Sequence, residues 1–172
     1  PVVDEMLQFT LEEKLKDRLN VRILSGSKKL VENPLVLSVL NILKLGTALK
    51  DSLTEFDLRP ILNDFLGIPI KYCAKILENF TNTKTLTEYE FENSEFTEIY
   101  SHFLEFLNNN NLKLSLQAFQ LYDKFAPRSR FRKEVLSGFS FFLKELRDFE
   151  SVYGDEISSH KVDILLQIEN SI

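Results

Sequence analysis

The chain has 172 residues, of which 44% are hydrophobic and 27% charged, a composition typical of a folded globular protein and not of a disordered one. Its net charge of −5 gives no general attraction to nucleic acid, and its single cysteine, Cys73, excludes an intrachain disulfide. The longest apolar run, residues 34–45, has only 12 residues and is interrupted by polar side chains, so no membrane-spanning segment is predicted.

The first predicted helix begins at Thr10. Thr10 and Glu13 form a capping box, in which the hydroxyl and the carboxylate each bind a free backbone amide at a helix start. The helix is predicted to end near Gly26. One side of it is expected to be buried, because leucines follow at four-residue spacing on one face, namely Leu11, Leu15 and Leu19.

The second predicted helix is the most apolar part of the chain. Asn33 and Pro34 indicate its start, as an N-cap followed by proline in the first turn, and Gly46 indicates a left-handed stop. Apolar side chains lie in nearly every direction around its axis, so we expect a central, buried helix. A buried strand is the competing interpretation of such a run, but its length and its two caps favour a helix.

Two prolines divide the segment that follows. Proline deep inside a helix costs about 3 kcal/mol, so Pro60 and Pro69 are each expected to lie near the start of a short helix. The first helix is predicted to close at Gly67 and the second to run to Phe80. Together they predict a tight helix–turn–helix corner.

Residues 81–94 are predicted to form an acidic loop between two helical halves. The loop carries two aromatic residues among glutamates, Tyr89 and Phe91, and the alternation over residues 87–92 is compatible with a short extended segment. Two interpretations remain open. Tyr89 and Phe91 dock on a basic or apolar surface of a partner, or they fold back on the core and the loop is a charged linker.

The C-terminal half reads as further helices. A helix that starts at Ser94 and a second that ends at Pro127 form a hairpin, a longer helix runs from about Ser129 to Gly154, and a last one follows. The count is about eight helices without a strand. The predicted fold is therefore all-α, an irregular orthogonal bundle, with part of a helical-repeat or solenoid array as the alternative. One helical domain is expected over residues 1–172, as a piece of a longer protein because the chain begins at Pro1.

A basic turn is the second candidate for partner binding. Arginine forks pair with the oxygens of phosphate and carboxylate, which predicts a protein partner with an acidic or phosphorylated segment. The alternative is a solvated turn whose bases pair with neighbours such as Glu134. The five bases flank Pro127 without an intervening acid and are Lys124, Arg128, Arg130, Arg132 and Lys133.

No catalytic, cofactor-binding or metal-binding motif is recognised. Cys73 is expected to be a small buried hydrophobe, and His102 and His160 surface or half-buried side chains. The acids are expected on solvent faces or in the loop. We therefore predict a non-catalytic scaffold or adaptor domain, acting through protein–protein interaction within a multi-subunit assembly in the cytoplasm or nucleus. An RNA-associated helical domain that binds phosphate through residues 124–133 is the alternative.

Overall fold

The computed structural model of the chain describes residues 32–109, 111–129, 138–154 and 159–171. These ranges hold no strand, and the all-α prediction is confirmed, with seven α-helices in place of about eight. The helix predicted from Thr10 lies outside the described residues. No helix in these ranges is long and apolar enough to cross a membrane. The helices are α1 (Pro34–Leu45), α2 (Glu55–Pro60), α3 (Ala74–Thr83), α4 (Ser94–Asn108), α5 (Leu114–Phe125), α6 (Phe139–Glu150) and α7 (Lys161–Ser171).

Both ends of α1 lie where the sequence places them. The side-chain oxygen of Asn33 accepts hydrogen bonds from the amides of Leu35 and Val36 at 2.9 and 3.2 Å, so the predicted N-cap is present. At the other end Gly46 closes the helix with a φ of −87°, which is not the left-handed conformation that we expected. Its amide instead donates to the carbonyl of Leu43 at 3.2 Å, in a tight last turn.

Helix α1 is the centre of the fold. It packs against α2, α5, α6 and α7, and most of its side chains are buried. The prediction of a central, buried helix is therefore confirmed. Because α1 contacts helices from both halves of the chain, the described part is a bundle around one core, whereas a repeat array would stack each unit only on its neighbours.

The start of α2 differs from the prediction. Thr54 is its N-cap: the Thr54 amide donates to the carboxylate of Asp57 at 2.8 Å, and the Thr54 hydroxyl accepts from the amide of Phe56 at 3.2 Å. Pro60 is the last residue of α2 and leads directly into a π-helical turn, Ile61–Phe65. Proline lacks an amide hydrogen and its ring clashes with the preceding turn, and the wider π turn accommodates both effects within one continuous helical stretch.

The corner between α2 and α3 turns at Gly67, whose φ of 76° lies in the region that favours glycine. Pro69 then precedes a short 3₁₀ turn, Ile70–Tyr72, and α3 begins at Ala74. Cys73, between them, is fully buried, and its thiol donates to the carbonyl of Pro69 at 3.6 Å. Burial raises the pKa of this thiol to about 11, so Cys73 is the buried small hydrophobe that the sequence predicts.

Candidate functional site

The predicted acidic loop is shorter than expected and is firmly anchored. Helix α3 runs to Thr83, and α4 begins at Ser94, so the connection is residues 84–93. The buried hydroxyl of Tyr100 donates to the carbonyl of Thr87 at 2.9 Å, and the Thr97 hydroxyl accepts from the amide of Phe91 at 2.8 Å. Both anchors come from α4. No extended strand forms in this connection.

The two aromatic residues of the loop face inward. Phe91 is buried, with its ring centroid 4.9 Å from that of Tyr89 and 5.9 Å from that of Tyr100, both in edge-on geometry. Tyr89 is half-buried against the core. This is the arrangement of the second interpretation, in which the aromatics fold back, because edge-on ring pairs and burial stabilise the loop. The ring of Phe91 is not presented as a free contact.

A cleft of about 750 Å³ lies on one side of this loop. We call it the leucine cleft, since its apolar lining comes from Leu45 of α1, Leu86 of the loop, and Leu104 and Leu107 of α4. Leu104 is almost fully buried and forms part of the core, whereas the other three are half-buried and keep apolar surface toward the opening. Threonines and Asn108 provide polar groups along its walls.

Two lysines lie at the rim of the leucine cleft. Lys84 has a left-handed φ of 56°, which costs a lysine roughly 1–2 kcal/mol. Its ammonium donates to the carbonyl of Leu53 at 2.5 Å and lies 5.6 Å from the ring centroid of Phe80, and these contacts offset the strain. Lys50 has no ion-pair or hydrogen-bond partner for its ammonium among the described residues. The rim therefore offers at least one unpaired positive charge above an apolar floor.

Two backbone amides of the loop that lines the cleft have no hydrogen-bond partner among the described residues. They are the amides of Leu86 and Glu88. Water satisfies such groups in an open loop, and an extended segment laid along the wall can replace that water, as in strand addition to a sheet edge. Half-buried leucines, an unpaired lysine and two amides without a described partner therefore lie together at this cleft.

A smaller recess of about 260 Å³ lies at the other end of the same loop. We call it the aromatic pocket, and it is lined by Tyr72, Phe91, Glu92, Asn93 and Phe96. The ring of Tyr72 is 42% exposed, with its centroid 6.0 Å from that of Phe96. Phe96 in turn meets Phe91 edge-on at 6.3 Å. Three rings and one carboxylate thus share a single concave surface.

The basic turn lies mostly outside the described residues. Arg130, Arg132 and Lys133 fall in the gap between residues 129 and 138. Lys124 is exposed on the last turn of α5, and Arg128 ends the 3₁₀ turn Ala126–Arg128 that follows. The role predicted for these five bases stays a prediction. Lys124, whose side chain is described, lines neither the leucine cleft nor the aromatic pocket.

The histidines do not converge on a site. His102 is exposed on α4, and His160 stacks on the ring of Tyr153 at a centroid distance of 4.5 Å. The ring nitrogen of His160 lies 3.3 Å from the carboxylate of Asp163. Within the described ranges, no three histidine, cysteine, aspartate or glutamate side chains are placed to hold one metal ion.

One buried acid was missed by sequence reasoning, which placed every acid on a solvent face or in the loop. Glu150 at the end of α6 is 3% exposed. One carboxylate oxygen accepts from the amide of Ser115 at 2.9 Å and the other from the Ser115 hydroxyl at 2.5 Å. Lys113, the N-cap of α5, makes no side-chain cap bond. Glu150 therefore caps α5 from a different helix, and its position four residues after Leu146 on the buried stripe was the signal available.

Comparisons of the chain with protein-family models, with curated proteins and with solved structures give no match.

Proposed function

We propose that this chain is a non-catalytic, intracellular scaffold or adaptor domain that receives a segment of a protein partner in the leucine cleft. The observation that carries the proposal is the cleft itself, in which half-buried leucines from three separate elements face one opening of about 750 Å³. Apolar surface of this kind gains about 25 cal/mol per Å² when a partner covers it. A concave site that combines apolar side chains with polar groups able to fix orientation is the usual form of a recognition site, and leucines, threonines and lysines line this cleft together.

The charges around the cleft define the partner further. Two lysines and one acid, Glu88, line the cleft, so its net charge is positive. The unpaired ammonium of Lys50 and the remaining donors of Lys84 favour a carboxylate or phosphate on the partner. The open amides of Leu86 and Glu88 favour an extended backbone running along the loop. The occupant is therefore an extended segment with large apolar side chains and an acidic group near them.

The non-catalytic and intracellular parts of the proposal have support of their own. Cys73, the obvious nucleophile of the chain, is fully buried and keeps its proton to a pKa of about 11, which does not suit a reactive thiolate. An unpaired thiol is stable in a reducing compartment, which is consistent with an intracellular protein.

Selection of random peptides displayed on phage against the full chain tests the proposal. We expect enriched sequences that combine bulky apolar residues with aspartate or glutamate. Their affinity should fall roughly tenfold with Lys50→Glu, since a charge-assisted contact becomes a repulsion. Leu86→Asp should abolish binding, because a carboxylate in the apolar lining is left without a partner.

Two matched controls distinguish the cleft from other surfaces. Leu116 is 41% exposed on α5 and does not line the cleft, so Leu116→Asp should leave the affinity unchanged. Lys124→Glu makes the same charge change as Lys50→Glu, but in the basic turn. Loss of binding with Lys124→Glu and not with Lys50→Glu would overturn the cleft as the site, and so would enriched peptides that bind Leu86→Asp as well as the wild type.

A further inference from the structure

We propose that the aromatic pocket binds an arginine side chain of the partner. The inference extends the proposed function, because the pocket and the leucine cleft are formed by the two ends of one loop. It rests on a separate set of side chains, so it can fail independently of the cleft.

The walls of the pocket attract a cation. Aromatic ring faces carry partial negative charge, and Tyr72 and Phe96 both line the recess. The chain itself places a cation on one of these rings: the ammonium of Lys71 lies 5.1 Å from the centroid of Tyr72. Tyr72 therefore already acts as a cation platform in this protein.

The carboxylate in the pocket is available for a partner. Glu92 is exposed and has no ion-pair or hydrogen-bond partner among the described residues. It stands in residues 85–98, a stretch with five acids and no base, which outnumber the one cation placed at the pocket, Lys71; the acids are Glu88, Glu90, Glu92, Glu95 and Glu98.

The combination selects arginine over lysine. A guanidinium is planar, so it can stack on the ring of Tyr72 or Phe96 and at the same time direct two N–H groups at the carboxylate of Glu92. An ammonium is a compact and strongly hydrated charge, and it loses more solvation on leaving water for an aromatic wall. The ring centroids of Tyr72 and Phe96 are 6.0 Å apart at an interplanar angle of 41°, and those of Phe96 and Phe91 are 6.3 Å apart at 81°, so the rings form an open corner in which a planar group can lie on one ring.

The loop also limits where the arginine lies in the partner. Glu88 lines the leucine cleft and Phe91 lines the aromatic pocket. Three residues of chain span at most about 11 Å, so a single extended segment can reach both recesses. The arginine is therefore expected within about five residues of the apolar and acidic group that enters the cleft.

The experiment uses the full chain and three short, otherwise uncharged peptides that contain one arginine, one lysine or one citrulline. Aromatic carbon–proton NMR spectra follow the ring signals of Tyr72 and Phe96 during each titration. We expect the arginine peptide to move both signals, the lysine peptide to bind at least roughly fivefold more weakly, and the citrulline peptide to leave them unchanged. Citrulline has the same shape as arginine without its charge.

The variants replace exposed side chains, so we expect each of them to retain the fold. Glu92→Gln should weaken the arginine peptide at least roughly fivefold, and Tyr72→Leu should abolish the shift at Phe96. Glu90→Gln removes the same charge two residues away without touching the pocket and should change the affinity less than about twofold. Lys71→Gln should strengthen binding, because it removes the chain's own competing cation.

Equal losses for Glu92→Gln and Glu90→Gln would overturn the pocket and indicate only general attraction to the acidic surface. Equal binding of the arginine and lysine peptides, or unmoved signals at Tyr72 and Phe96, would overturn it as well. Mutation of the leucine cleft with Leu86→Asp should leave these arginine titrations unchanged. That variant therefore separates a failure of the pocket from a failure of the proposed function.

Discussion

Replacing Glu150 tests whether a carboxylate buried in the core supports the fold. Glu150 is 3% exposed and accepts two hydrogen bonds from Ser115, which is itself buried at the start of α5. In Glu150→Ala, the amide and the hydroxyl of Ser115 both lose their acceptor, and the cavity left behind excludes most of the water that would replace it. The expected result is a strongly destabilised but helical protein.

The magnitude follows from the two contacts. Hydrogen bonds to a charged group contribute about 1.5–3 kcal/mol each, and a buried donor left without an acceptor costs about 1–3 kcal/mol. We expect Glu150→Ala, which removes the acceptor of two such bonds, to lower the free energy of unfolding by about 3–5 kcal/mol. Glu150→Gln keeps one acceptor oxygen, and its amide can donate to the serine hydroxyl, so about 1–2 kcal/mol is expected.

Urea unfolding followed by circular dichroism measures these differences. Asp148→Ala is the matched control, because Asp148 is an exposed acid of the same helix, paired with the exposed Lys144 at 3.0 Å. It should leave the unfolding midpoint nearly unchanged, as exposed ion pairs do. If Glu150→Ala unfolds at the same midpoint as Asp148→Ala, the carboxylate is not a cap and the reasoning is refuted.

Three further predictions concern other buried polar groups. Stability should fall as the pH rises from 9.0 to about 11, because the pKa of the Cys73 thiol is 9.0 in the unfolded chain and about 11 in the folded chain, so the folded state keeps a proton that the unfolded state loses. Urea titrations over this pH range should show a smaller loss of stability for Cys73→Ala, and an equal loss in both proteins would contradict this. Tyr100→Phe should cost about 1 kcal/mol and speed amide hydrogen exchange over residues 84–93, since the anchor at Thr87 is lost; unchanged exchange would count against it. Glu169→Gln should lower the free energy of unfolding by about 1–2 kcal/mol, because the Lys44 ammonium, whose side chain is 9% exposed, loses its 2.9 Å ion pair. An unaltered melting temperature would show that water already satisfies this lysine.

The fold class and the central helix were predictable from local spacing. Asn33 and the apolar run after it are local signals that tertiary contacts reinforce, and the predicted N-cap and burial are both present. Pro60 misled because the capping box of Thr54 and Asp57 lies one turn earlier, and a π turn absorbs the proline. A single-residue rule for helix starts fails where the backbone can widen.

The candidate sites were less accessible to sequence reasoning, because both recesses are made by residues distant along the chain. Leu45 and Leu107 are 62 residues apart and line one cleft only in the folded chain, and Tyr72 and Phe96 come together from either side of α3 and the loop that follows it. Phe91 stood out in the sequence as an aromatic residue in an acidic segment, with partner contact and folding back on the core as the two open interpretations. Spacing alone could not decide whether its ring points outward or, as found, forms a wall.

Glu150 shows a different limit. Its place on the α6 stripe is visible locally, but its two donors belong to Ser115, 35 residues earlier. The helical spacing places Glu150 on the buried face, but the sequence does not show which distant residue provides the donors that make a buried carboxylate stable there.

The anchoring of residues 84–93 by Tyr100 and Thr97 has a thermodynamic consequence. Residues of this stretch line both recesses, and the two hydrogen bonds fix its conformation in the free protein. Binding at either recess therefore costs little conformational entropy in this stretch. A ligand that changes the conformation of this stretch at one recess changes the affinity at the other, and thermodynamic linkage makes that effect reciprocal and equal in free energy.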